Sequence, residues 1–190
     1  RIWDLHCHLS GVAGLTPEER LENLLRYADR VGIERLCVYM GMKWAQDPTP
    51  DDLVKQNDDV LRAMDKFPDR VFGFVYLSAK HVERSLSELE RCVTHGPMVG
   101  VKLWVAEKCN VPEIDPIIRR AAELKAVIFQ HTWFKTGNNY AGESTPSDLV
   151  ELVTAARLLM RSHLTELEPP FCIRSPGRVP LKYGNFRSEE

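Results

Sequence analysis

Ile2-Trp3-Asp4-Leu5-His6-Cys7-His8 is a short apolar strand that ends in a His-x-His pair. Side chains two apart on a strand point to the same side. His6 and His8 therefore project together at the carboxyl end, with Asp4 expected on that side as well. Two imidazoles converging there can hold one Zn²⁺ or similar divalent ion, each through a neutral nitrogen. Asp4 is then a candidate to brace the pair through outer hydrogen bonds. A bare His-x-His arises readily by chance; the apolar lead-in and the acidic residue two before the pair argue against chance here.

Outward from this strand the chain repeats strand and helix about every 30 residues, the size of a βα unit. Thr16-Pro17-Glu18-Glu19 opens a helix, with Thr16 as cap, Pro17 at the first helical position and Glu19 three past the cap. Leu21, Leu24, Leu25, Ala28 and Val31 then recur at helical spacing up to Gly32. Ile33–Met40, Arg70–Leu77, Met98–Val105 and Ala126–His131 read as further strands. Helices start at Thr49-Pro50, before Leu86, at Asp115-Pro116 and at Thr145-Pro146. Strands alternating with amphipathic helices imply a parallel sheet. Helix starts alone do not separate an open doubly wound sheet from a closed barrel; the chemistry at the strand ends does.

His131 closes the fifth strand, Val127-Ile128-Phe129-Gln130, at the end where barrel enzymes place their sites. It is the third candidate ligand. Lys102 is a charge inside the apolar strand Val99–Val105, where an unpaired ammonium is costly. It should meet a carboxylate, bind substrate or be modified, and is a candidate catalytic residue with Asp4. Trp104 and Trp133 each lie two residues past a proposed site position and are candidate pocket walls. Lys135 and Asn138, in the loop after the fifth strand, are candidates to reach substrate. His81, His95 and His163 lack strand-end context and read as surface residues.

The bulk properties narrow the class. An apolar fraction of 44% with 27% charged residues is that of a globular domain. A formal net charge of −2 gives no nucleic-acid or membrane footprint, and a small-molecule substrate is the expected partner. Homo-oligomerisation is left open. Five irregularly spaced cysteines with no Cys-x-x-Cys fit free thiols in a reducing cytoplasm. No signal-peptide pattern is visible, and the chain begins at Arg1 in a strand, so a start further upstream is expected.

The first strand, the Gly100-Val101-Lys102-Leu103 strand and the Phe129-Gln130-His131 strand end, in this order and spacing, resemble the amidohydrolase-related family over about Arg1–Val153. The resemblance implies a (β/α)8 barrel of TIM type, incomplete, with about five βα units in residues 1–160. It implies His6, His8 and His131 as ligands of one divalent metal, zinc by expectation. Lys102 matches a lysine that is carbamylated in two-metal relatives. The family contains hydrolases as well as aminocarboxymuconate-semialdehyde and resorcylate decarboxylases. The broader class, hydrolysis of a small carbonyl, amide or lactone substrate by a metal-activated water, is the first expectation. A metal-dependent carboxy-lyase is the alternative, and a catalytically dead barrel fragment or binding module is the alternative outside enzymes.

Two family features, a His before Gly-Gly at strand six and an Asp at strand eight, are not visible. After Val153 the pattern is lost, and 161–190 reads as an irregular tail. A shifted reading frame is the expected cause. Phe171–Arg178 can be encoded so that dropping one base yields Phe-Val-Phe-Gly-His-Arg-Gly-Gly; the actual codons of this stretch test it.

Overall fold

The computed structural model describes residues 2–161, with side chains through Thr154. Five strands, β1 (Ile2–Cys7), β2 (Ile33–Val38), β3 (Val71–Leu77), β4 (Gly100–Leu103) and β5 (Val127–Gln130), alternate with five helices. These are α1 (Pro17–Arg30), α2 (Pro50–Asp65), α3 (Val82–Leu89), α4 (Asp115–Glu123) and α5 (Pro146–Arg161). Of the tail expected at 161–190, Arg161 is the last residue of α5 and the rest, His163 included, lies outside the described residues.

Local chemistry sets the helix starts. Thr16 Oγ1 accepts the Glu19 amide at 3.2 Å, and Pro17 occupies the first turn. Thr49 and Asp52 form a reciprocal capping box, Asp52 N–H to Thr49 Oγ1 at 3.2 Å and Thr49 N–H to Asp52 Oδ2 at 2.9 Å. Thr145 and Asp148 repeat it before α5. Gly32 takes φ +75°, open to glycine without strain, and turns the chain from α1 into β2. The third helix does not stop at Leu89 but runs on as a π-helical turn, Glu90–Thr94.

All neighbouring strands pair in parallel, in the order β1-β2-β3-β4-β5. That order settles the architecture the helix starts left open. A doubly wound sheet reverses direction at a switch point; this one never does. It also curls. Strands lie about 4.8 Å apart, so β1 and β5 in a flat sheet would be separated by roughly 19 Å. The His6 ring, from β1, nonetheless sits 5.5 Å from the ring of Phe129, from β5. The five units thus form a curved wall, an incomplete (β/α)8 barrel.

Alternation along the strands divides the buried residues between two faces. Leu36, Val38, Val75 and Val101 join Leu21 and Ile117 of the helices in the main apolar core. Cys37, Tyr39, Phe74 and Tyr76 form a second, aromatic cluster with Phe129 and Trp104. A buried polar clamp ties α2 to β3 and α3: Asn57 donates to the Tyr76 carbonyl and to Glu88, and accepts the Tyr76 amide at 2.8 Å.

Gly100 shows how tightly the curl is packed. A Cβ there would stand 2.6 Å from the Val127 carbonyl oxygen and 2.6 Å from Phe74 Cδ1. The carbonyl belongs to the neighbouring strand and cannot step aside. Gly100→Ala should therefore cost about 3 kcal/mol, the upper part of the usual overpacking range. Chemical denaturation measures this directly, and an unchanged midpoint would contradict it.

Candidate active site at the strand ends

His6 and His8 lie at the end of β1 with ring centroids 6.3 Å apart. The Nδ1 of His8 is 3.1 Å from the Ser10 carbonyl oxygen and 2.9 Å from Ser10 Oγ. Ser10 thus holds Nδ1, and Nε2 has no partner among the described residues. The His6 ring packs against Tyr39 at 5.6 Å as well as Phe129. Its proton affinity is lowered, first by burial and then by the charges of Lys102, His8 and His131. Those four groups share one electrostatic neighbourhood, and the imidazole is held in its neutral form.

His131 follows β5 directly, its amide donating to the Leu103 carbonyl at 3.0 Å. Its Nε2 lies 2.9 Å from Glu143 Oε1, and its Nδ1 has no partner among the described residues. The chemistry of the donor set suits a divalent ion: His6, His8 and His131 each keep one ring nitrogen unbonded among the described residues. As they stand, however, no three His, Cys, Asp or Glu side chains among the described residues are arranged to hold a metal ion. With bonds of about 2 Å, two imidazoles on one tetrahedral ion have centroids about 5 Å apart. The 6.3 Å between His6 and His8 is wider than that.

Asp4 departs from the alternation expected of it. The β1–β2 register shifts between Asp4 and Cys7, a bulge that breaks the period of two. Its carboxylate accepts the His6 backbone amide at 2.8 Å rather than a ring nitrogen. It also lies against Cys7, whose thiol is pushed up by burial first and by Asp4 second. Asp4 thus braces the backbone of the His-x-His strand.

Lys102 is 1% exposed, and its Nζ has no hydrogen-bond partner among the described residues. It sits 4.5 Å from the Phe129 ring centre and 4.8 Å from that of Tyr39. Burial pulls its pKa down to about 7. The carboxylate partner that a buried lysine would ordinarily recruit is absent among the described residues.

The aromatic walls are richer than Trp104 and Trp133 alone. Trp44, from the loop after β2, stacks flat on Trp104 at 5.2 Å and tilts over His8 at 5.0 Å. Sequence reading passed over Trp44, Tyr39 and Phe129. The last two were legible as members of an alternating inward series; Trp44 carries no local signal. Trp133 is 55% exposed, 6.1 Å from the His131 ring. Lys135 is committed to Glu143 at 2.8 Å and lies over Tyr140 at 4.2 Å, stapling its own loop. Asn138 is exposed, and its neighbour Asn139 makes the loop's hydrogen bonds. His81, expected on the surface, is partly buried, with Nε2 2.9 Å from the Pro48 carbonyl oxygen.

Cys7, Cys37, Cys92 and Cys109 are free and buried. No helix among the described residues is long and apolar enough to cross a membrane.

No family model matches the chain. It is 27% identical over 129 residues to the 2-amino-3-carboxymuconate-6-semialdehyde decarboxylase of Dictyostelium discoideum, covering 65% of this chain and 35% of that protein. The chain thus spans about a third of the length of this curated relative. Among solved structures, a putative amidohydrolase from Staphylococcus aureus superposes with a TM-score of 0.60 at 16% identity, covering 82% of this chain and 55% of that one. A dihydroxybenzoic acid decarboxylase from Polaromonas, with bound manganese and the inhibitor 2-nitroresorcinol, superposes with a TM-score of 0.55 at 18% identity, covering 83% and 54%. At these identities the superpositions speak to the fold, an amidohydrolase-type barrel; the curated relative supplies the sequence link. By sequence the chain is similar to a semialdehyde decarboxylase, and by fold it is similar to barrels of the amidohydrolase type.

Proposed function

We propose that these five βα units belong to a metal-dependent carboxy-lyase acting on a small unsaturated or aromatic carboxylic acid. The observation that carries the reading is the sequence similarity over 129 residues to a semialdehyde decarboxylase. It favours decarboxylation over the hydrolysis expected from the breadth of the family.

The walls of the site support the same substrate class. The stacked Trp44–Trp104 pair beside His8, and the Tyr39 and Phe129 rings beside His6, suit a flat conjugated molecule. His6, His8 and His131 would hold the divalent ion through neutral nitrogens. When bound, that ion would polarise a substrate oxygen. The manganese bound in the Polaromonas structure is the reason to supply Mn²⁺ as well as Zn²⁺ in a test. Lys102, buried next to His6 and without a carboxylate partner among the described residues, is the group suited to exchange a proton near the mouth.

The test is a paired assay of the chain loaded with Mn²⁺ or Zn²⁺. The substrates are 2-amino-3-carboxymuconate-6-semialdehyde, dihydroxybenzoates, and a panel of lactones and amides. Metal-dependent CO₂ release without hydrolysis is the expected result. Metal-dependent opening of a lactone or amide without CO₂ release would return the protein to the hydrolase class. Inactivity on every substrate, with no metal taken up, would make it a barrel fragment without chemistry.

A further inference from the structure

Glu143, in the loop between β5 and α5, is the most deeply buried carboxylate near the strand ends, with its side chain 1% exposed. Its two oxygens are divided between partners. Oε1 accepts from His131 Nε2 at 2.9 Å; Oε2 accepts from Lys135 Nζ at 2.8 Å and from the Tyr140 amide at 3.1 Å.

The loop that carries Glu143 is built rather than loose. The Trp133 amide donates to the Ser144 carbonyl at 2.9 Å, and Asn139 Nδ2 donates to the Trp133 carbonyl at 2.8 Å. Ser144 Oγ accepts the Cys109 amide at 2.9 Å, which anchors the loop to the segment after β4. Gly142 lets the two segments meet closely: a Cβ there would lie 2.4 Å from the Val105 carbonyl oxygen.

We propose that Glu143 is the positioning residue of His131, fixing the ring as its Nε2–H tautomer and turning Nδ1 toward the mouth shared with His6 and His8. An ionised carboxylate can only accept a hydrogen bond, so the nitrogen facing it must carry the hydrogen. The other nitrogen then holds its lone pair, ready for a cation, in the carboxylate–histidine–metal arrangement that orients metal-bound histidines. Lys135 supports this from behind by occupying the second oxygen. The consequence for metal binding rests on the ligand role proposed above for His131; the tautomer does not.

Two measurements on the full chain separate these levels. Long-range ¹H–¹⁵N spectra of ¹⁵N-histidine-labelled, metal-free protein at mildly alkaline pH report the tautomer, with His131→Asn identifying the resonance. The wild type and Lys135→Met should show His131 as Nε2–H alone, and Glu143→Gln should show a mixture or Nδ1–H. Calorimetric titration with Zn²⁺ and with Mn²⁺ should give affinities about 10–100-fold weaker in Glu143→Gln. A proton on Nδ1 of His131 in the wild type would overturn the proposal whether or not the variant folds. Wild-type affinity and tautomer in Glu143→Gln would overturn it as well. A wild type that keeps the Nε2–H tautomer but takes up no metal would uphold the hold of Glu143 on the ring and overturn the metal reading of the site.

Discussion

Lys102→Met is expected to stabilise the chain by several kcal/mol below pH 7, with the pH-dependent part of the gain gone above about pH 10.5. Lys102 is 1% exposed, and burial lowers its pKa from 10.5 to about 7. At about 1.4 kcal/mol per pH unit, that interval corresponds to a cost on the order of 5 kcal/mol for folding around the charged form. The sign follows from proton counting. Between about pH 7 and 10.5 the unfolded chain keeps a proton that the folded chain has released, so stability rises with pH across this window. Below about 7 both states are protonated and the whole cost is present; above 10.5 neither is, and it vanishes. The Tyr39 and Phe129 rings beside Nζ return part of it through cation–π attraction, about 0.5–2 kcal/mol. Methionine keeps the length and flexibility of the side chain without the charge. Denaturant unfolding of both proteins across this range, with a chelator present to remove metal linkage, measures the effect. A stability difference that stays flat with pH would mean that Lys102 finds a partner for its charge.

Loss of the bound ion is the second large effect. His6→Ala, His8→Ala and His131→Ala should each abolish stoichiometric metal in purified protein. Three ring nitrogens make up the whole donor set proposed for β1 and β5. Deleting one leaves two, and the penalty should exceed the 10–100-fold that loss of a supporting partner costs. The His6 imidazole is already kept neutral by its surroundings, so uptake there requires little proton displacement near neutral pH. His95→Ala is the control: its ring is exposed, with Nδ1 3.1 Å from the Glu90 carbonyl oxygen, away from the strand ends. Elemental analysis of the four variants and the wild type decides the matter. Full metal content in His131→Ala would remove β5 from the site, and a metal-free wild type would remove the site altogether.

Much of this was written in local chemistry. The caps at Thr16, Thr49 and Thr145 and the prolines after them announce α1, α2 and α5 without reference to anything distant. The near-continuous apolar strands and their spacing likewise follow from nearest neighbours in the chain. So does the nearness of His6 to His8, because residues two apart in an extended chain tend to the same side.

Other features were decided only when distant segments met. Whether the sheet stays flat or curls depends on aromatic rings from β1, β2, β3 and β5 packing on one face, and no single strand encodes that contact. The bulge that turns Asp4 from a brace of imidazoles into a brace of backbone arises from pairing with β2, not from the residues of β1. Lys102 reads as a charge in a strand; its solitude is a property of the neighbours that surround it. Glu143 reads as one more polar loop residue, until burial removes the water that would otherwise compete for His131 and Lys135. Short-range sterics and hydrogen bonds made the elements legible, whereas curvature, desolvation and the orientation of His131 are set by long-range packing, which appears only in three dimensions.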